Sequence, residues 1–437
     1  NTEKHAKNTW LNRLADFFGF GARRRRNSPH KIAYLSAKKL YAQVLEQAKA
    51  GQGINALLLE QYSKNLRKAV AGVMDSANFG DQYFALQQQF QANVSQFAAH
   101  KAWCAAQQIE AARFDKDGNP RSDEAWQRQA TAILDRFDAY QNAEFNTATA
   151  RARTAKQWTD FNEKENKILF PNLRWLPSRS ADPRPEHAKF YGLTLPKDHP
   201  FWRTNQPGNL YNCKCDWEET FDSADSVAPQ NDSAAVGLEG NPAETKEIFT
   251  RNAAWFKFSQ NRENEYEKNI LELKNDGFYP KEVRNIPVNV SILHNTGEVA
   301  GNLEVLHSYL NGKNDIAKIS LLPNISEKNM SMKKDFYPEG QLPRNIKKNA
   351  DALIEFKNGK QIVADFKAMQ GNGVNLRRRL KDSYEQADRA IIKIKGTPDV
   401  REITETADSF MNQHFRFKEL LIYDSRETLI YERKKDI

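Results

Sequence analysis

Asp351, Asp365 and Lys367 are the residues whose types and spacing carry the most chemistry in this chain. Asp351-Ala-Leu-Ile-Glu-Phe-Lys357 is followed by Asn358-Gly359 and then by Lys360-Gln-Ile-Val-Ala-Asp365-Phe-Lys367. Asn-Gly between two alternating apolar runs predicts a β-hairpin. The turn brings Asp351, at the start of one strand, to Asp365 and Lys367 near the end of its partner. Asp365 and Lys367 lie two residues apart and therefore leave the same sheet face. Two carboxylates and a lysine at one sheet end can hold a divalent cation and polarise a water, which suits phosphodiester cleavage. Asp-x-Lys alone also describes an ordinary solvated strand face. Here Asp365 follows the apolar run Ile362-Val363-Ala364, which points toward a core, and Gly371-Asn372-Gly373 stands where strand hands over to helix.

The segment from Asn375 to Ala387 reads as that helix, with Arg377, Arg378, Arg379 and Lys381 in its first turns. Cations early in a helix oppose its dipole, so a polyanionic partner explains them better than helix stability does. Neighbours on a helix are about 100° apart, so only one or two of these arginines can meet phosphate at once. Ala390–Ile394 then reads as a buried strand. Two runs flanking Asp424-Ser-Arg-Glu427 read as a terminal hairpin. The C-terminal part is expected to be an α/β domain around a central mixed sheet. Lys367, as a strand-end lysine, is expected to be removable at little cost in stability.

The series Asp351, Asp365-Phe-Lys367, Gln386-Ala-Asp388 and Ile391-Ile392 resembles the nuclease modules at the C-termini of contact-dependent-inhibition and other polymorphic toxins. It is also similar to the PD-(D/E)xK nuclease pattern, in which Glu304, on an expected helix from Leu303 to Leu310, would be the early helix acid. Ala350 stands where that pattern has proline, and Asp365 where glutamate is more usual. The resemblance covers the last third of the chain. It implies a toxin acting in the bacterial cytoplasm on nucleic acid, with RNA or tRNA favoured over DNA, and an immunity protein as a further partner. Two mechanisms follow. With metal, Asp351 and Asp365 ligate magnesium, Lys367 orients water, and Glu304 and Gln386 support them. Without metal, as in barnase and colicin-type ribonucleases, Lys367, His414 and nearby arginines would assist attack by the RNA 2′-hydroxyl. His307, one helical turn after Glu304, is a second histidine of interest. A purely binding, non-enzymatic domain is the remaining alternative.

Bulk properties allow such an acidic partner. The 437 residues carry a formal net charge of +9, with 39% hydrophobic and 28% charged residues, a pI near 9.1 and a mean hydropathy of -0.78. This is enough apolar material for two or three packed domains. The positive charge favours nucleic acid. No apolar run is long enough for a transmembrane helix. No secretory signal is visible, and a start at Asn1 rather than Met leads us to expect further preceding sequence. Three cysteines exclude a disulfide framework as the main source of stability.

Four parts are expected along the chain. Residues 1–30, with Arg23 to Arg26, form a basic tail. Residues 31–220 begin with helices of three-to-four periodicity that form an antiparallel hairpin, broken at Asp115 to Pro120. Residues 221–276 read as a polar linker and a charged spacer helix, with Gly237–Pro242 and Glu247–Phe256 as stretches able to dock. Residues 277–437 form the α/β domain. Within the second part, residues 171–220 crowd prolines, tryptophans and turns. Arg184 to His187, Pro200-Phe201-Trp202, Pro207-Gly208 and Asn212-Cys213-Lys214-Cys215 occur in order. This series resembles the closing signature of phage Mu F-like minor head proteins, with Lys214 in place of the usual arginine. The resemblance covers the first half of the chain. It implies a virion protein of head assembly, inside the capsid near the portal, with portal and capsid proteins as partners. A C-terminal toxin or enzyme module often accompanies such proteins. His187, Cys213 and Cys215 are candidate ligands for a structural zinc, with His199, Asp182 or another residue as a fourth; the alternative is that His187 hydrogen-bonds the loop and the cysteines pack as small hydrophobes. The spacing of one residue between the cysteines is tighter than usual in zinc sites.

Overall fold

A computed structural model describes residues 34–51, 53–74, 79–227, 234–371 and 373–435. The basic tail with Arg23 to Arg26 lies outside these residues. The first part is a helical bundle: α1 (Tyr34–Lys49), α2 (Ala56–Met74), α3 (Phe84–Ala111), α4 (Asp123–Ala139) and α5 (Gln141–Phe161). The central α3 is buried on nearly every side from Phe84 to Ile109, which explains its run of small residues. Ala98, Ala99, Ala102 and Ala105 are fully buried and let neighbouring helices approach closely. Asp115 accepts backbone hydrogen bonds from Asp117 and Asn119, closing the α3–α4 turn. The bundle is thus larger than the expected helical hairpin.

Its polar centre is a buried ion pair. Lys101 Nζ on α3 donates to Glu144 Oε2 on α5 at 2.5 Å, and Trp255 Nε1 donates to Glu144 Oε1 at 2.9 Å. Trp255 belongs to Glu247–Phe256, a stretch of the linker part expected to be able to dock, and it lies in the core of the bundle. Leu238, Ile248, Phe249, Trp255, Phe256, Tyr266 and Ile270 are core residues of the bundle. Asn93 on α3 donates to the Phe249 carbonyl and accepts from the Ile248 and Phe249 amides. The buried Arg151 on α5 donates to the carbonyls of Leu238, Gly240 and Glu247. Helix α6 (Glu263–Glu272) also buries Tyr266, Ile270 and Leu271 rather than spanning solvent. Aromatic anchors inside a polar stretch decide the outcome; composition averaged over that stretch hides them.

A small module follows the bundle helices. β1 (Asn172–Leu176) lies between β2 (Thr194–Pro196) and β3 (Asp216–Thr220), both antiparallel to it. Its own core holds Leu173, Trp175, Phe190, Phe201, Trp202, Cys213, Cys215 and Trp217.

The C-terminal domain begins at β4 (Phe278–Val283) and continues through β5 (Ile286–Ser291), α7 (Val299–Tyr309), β6 (Ile316–Leu321), β7 (Ala352–Phe356), β8 (Gln361–Gln370), α8 (Gly373–Gln386), β9 (Arg389–Lys395), α9 (Val400–Gln413), β10 (Glu419–Tyr423) and β11 (Leu429–Lys434). The eight strands form one mixed sheet in the order β11-β10-β9-β8-β7-β6-β5-β4. On one face, Phe366 and Ile391 join the core shared with α7 and the bundle. On the other, Met369, Ala390, Ile392 and Ile394 pack with Leu376 and Leu380 of α8 and Ile403 and Phe410 of α9. The bundle docks directly on the sheet domain: Gln96 Nε2 donates to the Ile292 carbonyl at 3.2 Å, and the His307 ring stacks on Phe79 at 4.0 Å.

Glu144→Ala will destabilise the chain by about 3–5 kcal/mol, because it leaves the Lys101 ammonium buried without a counter-charge. Denaturant titration measures this, and Glu144→Gln, which keeps a hydrogen-bond acceptor, will cost less.

Candidate active site

The hairpin register sets the site. Ala352 pairs with Ala364, which places Asp351 opposite Asp365. Gly359 closes the turn with a φ of +83°, a conformation glycine adopts without strain. The ladder to β7 ends at Ala364, and from Asp365 onward β8 pairs on its other side with β9. The Phe366 N–H, just past the end of the β7 ladder, donates to Asp351 Oδ2 at 2.8 Å.

Lys367 Nζ bridges the two carboxylates, 2.8 Å from Asp365 Oδ1 and 3.4 Å from Asp351 Oδ2. Asn302 of α7 donates to Asp351 Oδ1 at 3.2 Å, and its Nδ2 also lies 3.0 Å from His294 Nε2. Ser383 of α8 donates to Asp365 Oδ2 at 2.5 Å. In the amide orientation that satisfies its neighbours, Gln386 donates to the Asn349 carbonyl at 2.5 Å and to Asp365 Oδ1 at 3.2 Å. Asp365 is completely buried. Burial and the facing Asp351 carboxylate push it up to about 8 against the pull of Lys367. Burial works on Asp351 too, but the Lys367 charge and hydrogen bonds hold that carboxyl below its ordinary value. Lys367 resists burial and is raised above its ordinary value by both carboxylates. The cluster therefore keeps one ionised carboxylate, one proton-holding carboxyl and one ammonium in contact.

Asp351, Asp365, Lys367 and Gln386 thus come together as the sequence leads one to expect. Glu304 does not. It pairs with Lys395 at 2.5 Å on the α7 face of the sheet, whereas Asp365 and Lys367 face α8. The α7 backbone approaches β8 at Gly301, where an added Cβ would lie 3.4 Å from Ala368, and Glu304 is carried along that face. The acid of this helix that acts on Lys367 is instead Glu298, at the start of α7. His307 pairs with Glu427 at 2.5 Å. His414 packs against the Tyr384 and Phe410 rings, and neither histidine touches the cluster. Sequence reasoning missed Asn302, His294 and Ser383. Ser383 left a signal, since it continues the buried stripe Leu376, Leu380 of α8 with a polar group.

The basic residues of α8 fan out. Arg377, Arg378 and Lys381 are exposed and Arg379 is half-buried. Arg377 leans toward Gln413 of α9 at 3.3 Å. Arg379 sits one turn before Ser383 and is the arginine of this run closest in helical phase to the carboxylates. Arg344, from the long β6–β7 connection, donates to the Tyr384 and Ala387 carbonyls and to Asp388 Oδ1, capping the end of α8.

A second cluster lies in the β1–β3 module. His187 Nδ1 is 3.4 Å from Cys213 Sγ and 3.5 Å from Cys215 Sγ. The hydrogen bond from Cys215, with His187 beside it, draws the Cys213 thiol down to about 4, while Cys213 and burial push Cys215 up. The expected fourth partners do not join them. His199 Nδ1 accepts from the Phe201 amide within its own loop, and Asp182 is exposed.

The position of Lys367 also corrects the expectation that its removal is harmless. It is the counter-charge of a buried carboxylate pair that shares one proton, so Lys367→Ala will cost about 3 kcal/mol near neutral pH. The carboxylates left behind will have folded-state pKa values raised above their unfolded ones. Their stabilising contribution is then complete at low pH and lost as pH rises through the folded values. Denaturation at about pH 5 and about pH 8 will show the gap to the parent widening with pH.

No curated protein and no solved structure matches the chain. Among the described residues, no helix is long and apolar enough to cross a membrane. Residues 72–218, from the end of α2 through the bundle helices and the Pro/Trp-rich module, match the family described as Phage Mu protein F like protein, which fits a phage head-morphogenesis protein with capsid partners and a place in the virion.

Proposed function

We propose that the C-terminal domain is a metal-dependent nuclease carried on this head protein. The observation that supports it is the convergence of Asp351, Asp365 and Lys367 at the point where β8 leaves β7 for β9. Structural ion pairs are common, but two carboxylates facing each other in a buried setting are costly and rarely placed for stability alone. The donor set fits an oxygen-seeking divalent ion such as magnesium: Asp351 and Asp365 would hold it, with Gln386 supporting Asp365 through its amide N–H. When bound, the ion polarises the phosphate and lowers the pKa of a water.

The chain's own groups supply the rest. Asn302 and Ser383 hold the carboxylates in their rotamers. Lys367, fixed by both carboxylates, presents a positive charge to the phosphate oxygens and orients the attacking water. Water oxygen bonds to phosphorus and gives up a proton, one P–O ester bond breaks, and the leaving oxygen takes up a proton in its place. Arg378, Arg379 and Lys381 lie along α8 to meet flanking phosphates. The separation of His414 from this cluster favours the metal-assisted route over the metal-free one. Such a site cuts without a 2′-hydroxyl, so DNA satisfies the chemistry as well as RNA; the toxin resemblance favours RNA. In that reading the domain acts in the bacterial cytoplasm, and a producing cell needs an immunity protein to cover the site.

The test is digestion of RNA and of single- and double-stranded DNA by the full chain, with magnesium or with EDTA. Cleavage that EDTA abolishes, and that Asp365→Asn lowers by at least about 100-fold in a folded protein, is the expected result. Equal cleavage by Asp365→Asn, or no cleavage under any metal condition, would refute the reading. Arg378→Ala with Lys381→Ala will weaken nucleic-acid binding and flatten its salt dependence by about one to two units of slope, with a smaller effect on turnover.

A further inference from the structure

We infer that His187, Cys213 and Cys215 bind a zinc ion that ties together the β1–β3 module. The proposal stands apart from the nuclease reading and from its oxygen-rich site. His187 comes from a single helical turn, Pro185–Ala188, and the two cysteines from the loop that enters β3. All three are buried, and their ligand atoms lie within 4.8 Å of one another. The two N···S separations, 3.4 and 3.5 Å, suit a tetrahedral ion. Zn–N and Zn–S bonds of about 2.0 and 2.3 Å put neighbouring ligands roughly 3.5 Å apart.

The surroundings are those of a ligand set. His187 Nε2 lies 2.8 Å from Asn209 Oδ1. Nε2 therefore carries the proton, and the Nδ1 lone pair is turned to the two sulfurs. The Cys215 amide donates to Cys213 Sγ at 3.4 Å, a contact that stabilises thiolate charge. Trp175 Nε1 and Tyr191 Oη stand beside Cys215 and act on its sulfur as hydrogen-bonding groups. Among the described residues, no further His, Cys, Asp or Glu joins the group, so the protein supplies three of the four ligands of a tetrahedral ion.

Two other roles for the same atoms fit less well. A Cys–His nucleophile needs access, and here the imidazole is walled by Trp175 and Phe190. A Cys213–Cys215 disulfide would close a ring across one residue and leave His187 Nδ1 facing sulfurs with nothing to bind. Zinc uses all three groups. It also cross-links segments 26 residues apart in sequence in a module that otherwise has three short strands and no long helix.

The experiment uses the full chain, purified without added metal and without a metal-affinity step. Elemental analysis should find close to one zinc per chain, retained in Asp365→Asn and in Cys104→Ser. Exchange with cobalt(II) should give a thiolate-to-cobalt charge-transfer band and the intense visible bands of tetrahedral cobalt, which an all-oxygen site cannot produce. Cys213→Ser and Cys215→Ser should lose both signals. Should those variants fail to fold, the parent decides the matter: a thiol-specific mercurial should release its zinc in step with sulfur modification. A folded parent with no zinc and no cobalt charge-transfer band would overturn the proposal. So would a parent two hydrogens lighter than its reduced mass, with Cys213 bonded to Cys215.

Discussion

Glu144 is the acceptor on which the first two-thirds of the molecule depends. One of its oxygens neutralises Lys101 on the central helix, and the other takes the indole N–H of Trp255 from the stretch that returns after the small sheet. A buried ammonium cannot stand without that carboxylate, and the carboxylate cannot stand without both donors. The returning stretch is therefore held at the middle of the bundle, and Asn93 and Arg151 hold its backbone on either side. Once residues 235–273 are fixed there, β4 begins directly against α3. Lys281 of β4 accordingly reaches Gln91, and burial draws that lysine down to about 7.

Charge is managed differently at the far end of the molecule. The sheet domain buries two aspartates within contact of each other and answers them with one lysine, leaving the second carboxyl to hold its proton. One carboxyl of that cluster keeps a proton, whereas the Lys101–Glu144 pair is closed by Trp255 and the Tyr62 ring. The same chain thus contains a saturated ion pair and an unsaturated one, and only the unsaturated one lies where a strand changes partners.

Much of the sheet domain was legible in advance. Asn358-Gly359 declared the hairpin, its alternation set the register, and the register put Asp351 across from Asp365. Those are local signals of period and turn chemistry, which survive folding almost unchanged. The Pro/Trp-rich module was legible through its ordered motifs. Glu304 was misplaced because helical phase depends on which face a helix packs, and only Gly301 against Ala368 reveals that. Two stretches of residues 235–273 read as able to dock, but the burial of the helix Glu263–Glu272 and the anchors of the stretch were hidden for another reason: a few aromatic residues outweigh a polar average, and Asn93 and Arg151 bind backbone carbonyls and amides, which leave no trace in side-chain patterns. Arg344, reaching from a long irregular connection to the end of α8, had no sequence signal at all.

The stacking of His307 on Phe79, and the salt bridge of the same histidine to Glu427, bear on how such a chain can diversify. One ring is shared between the bundle, α7 and the β10–β11 turn, so three stretches of chain distant in sequence meet at a single imidazole. A recombination event that replaced everything after residue 277 would bare Phe79, Phe84 and the apolar flank of α3 to water. A different C-terminal domain would then need its own matching helix. The two halves are, in that sense, a fitted pair, and a replacement for the C-terminal part would need to present a surface like that of Val299–Tyr309.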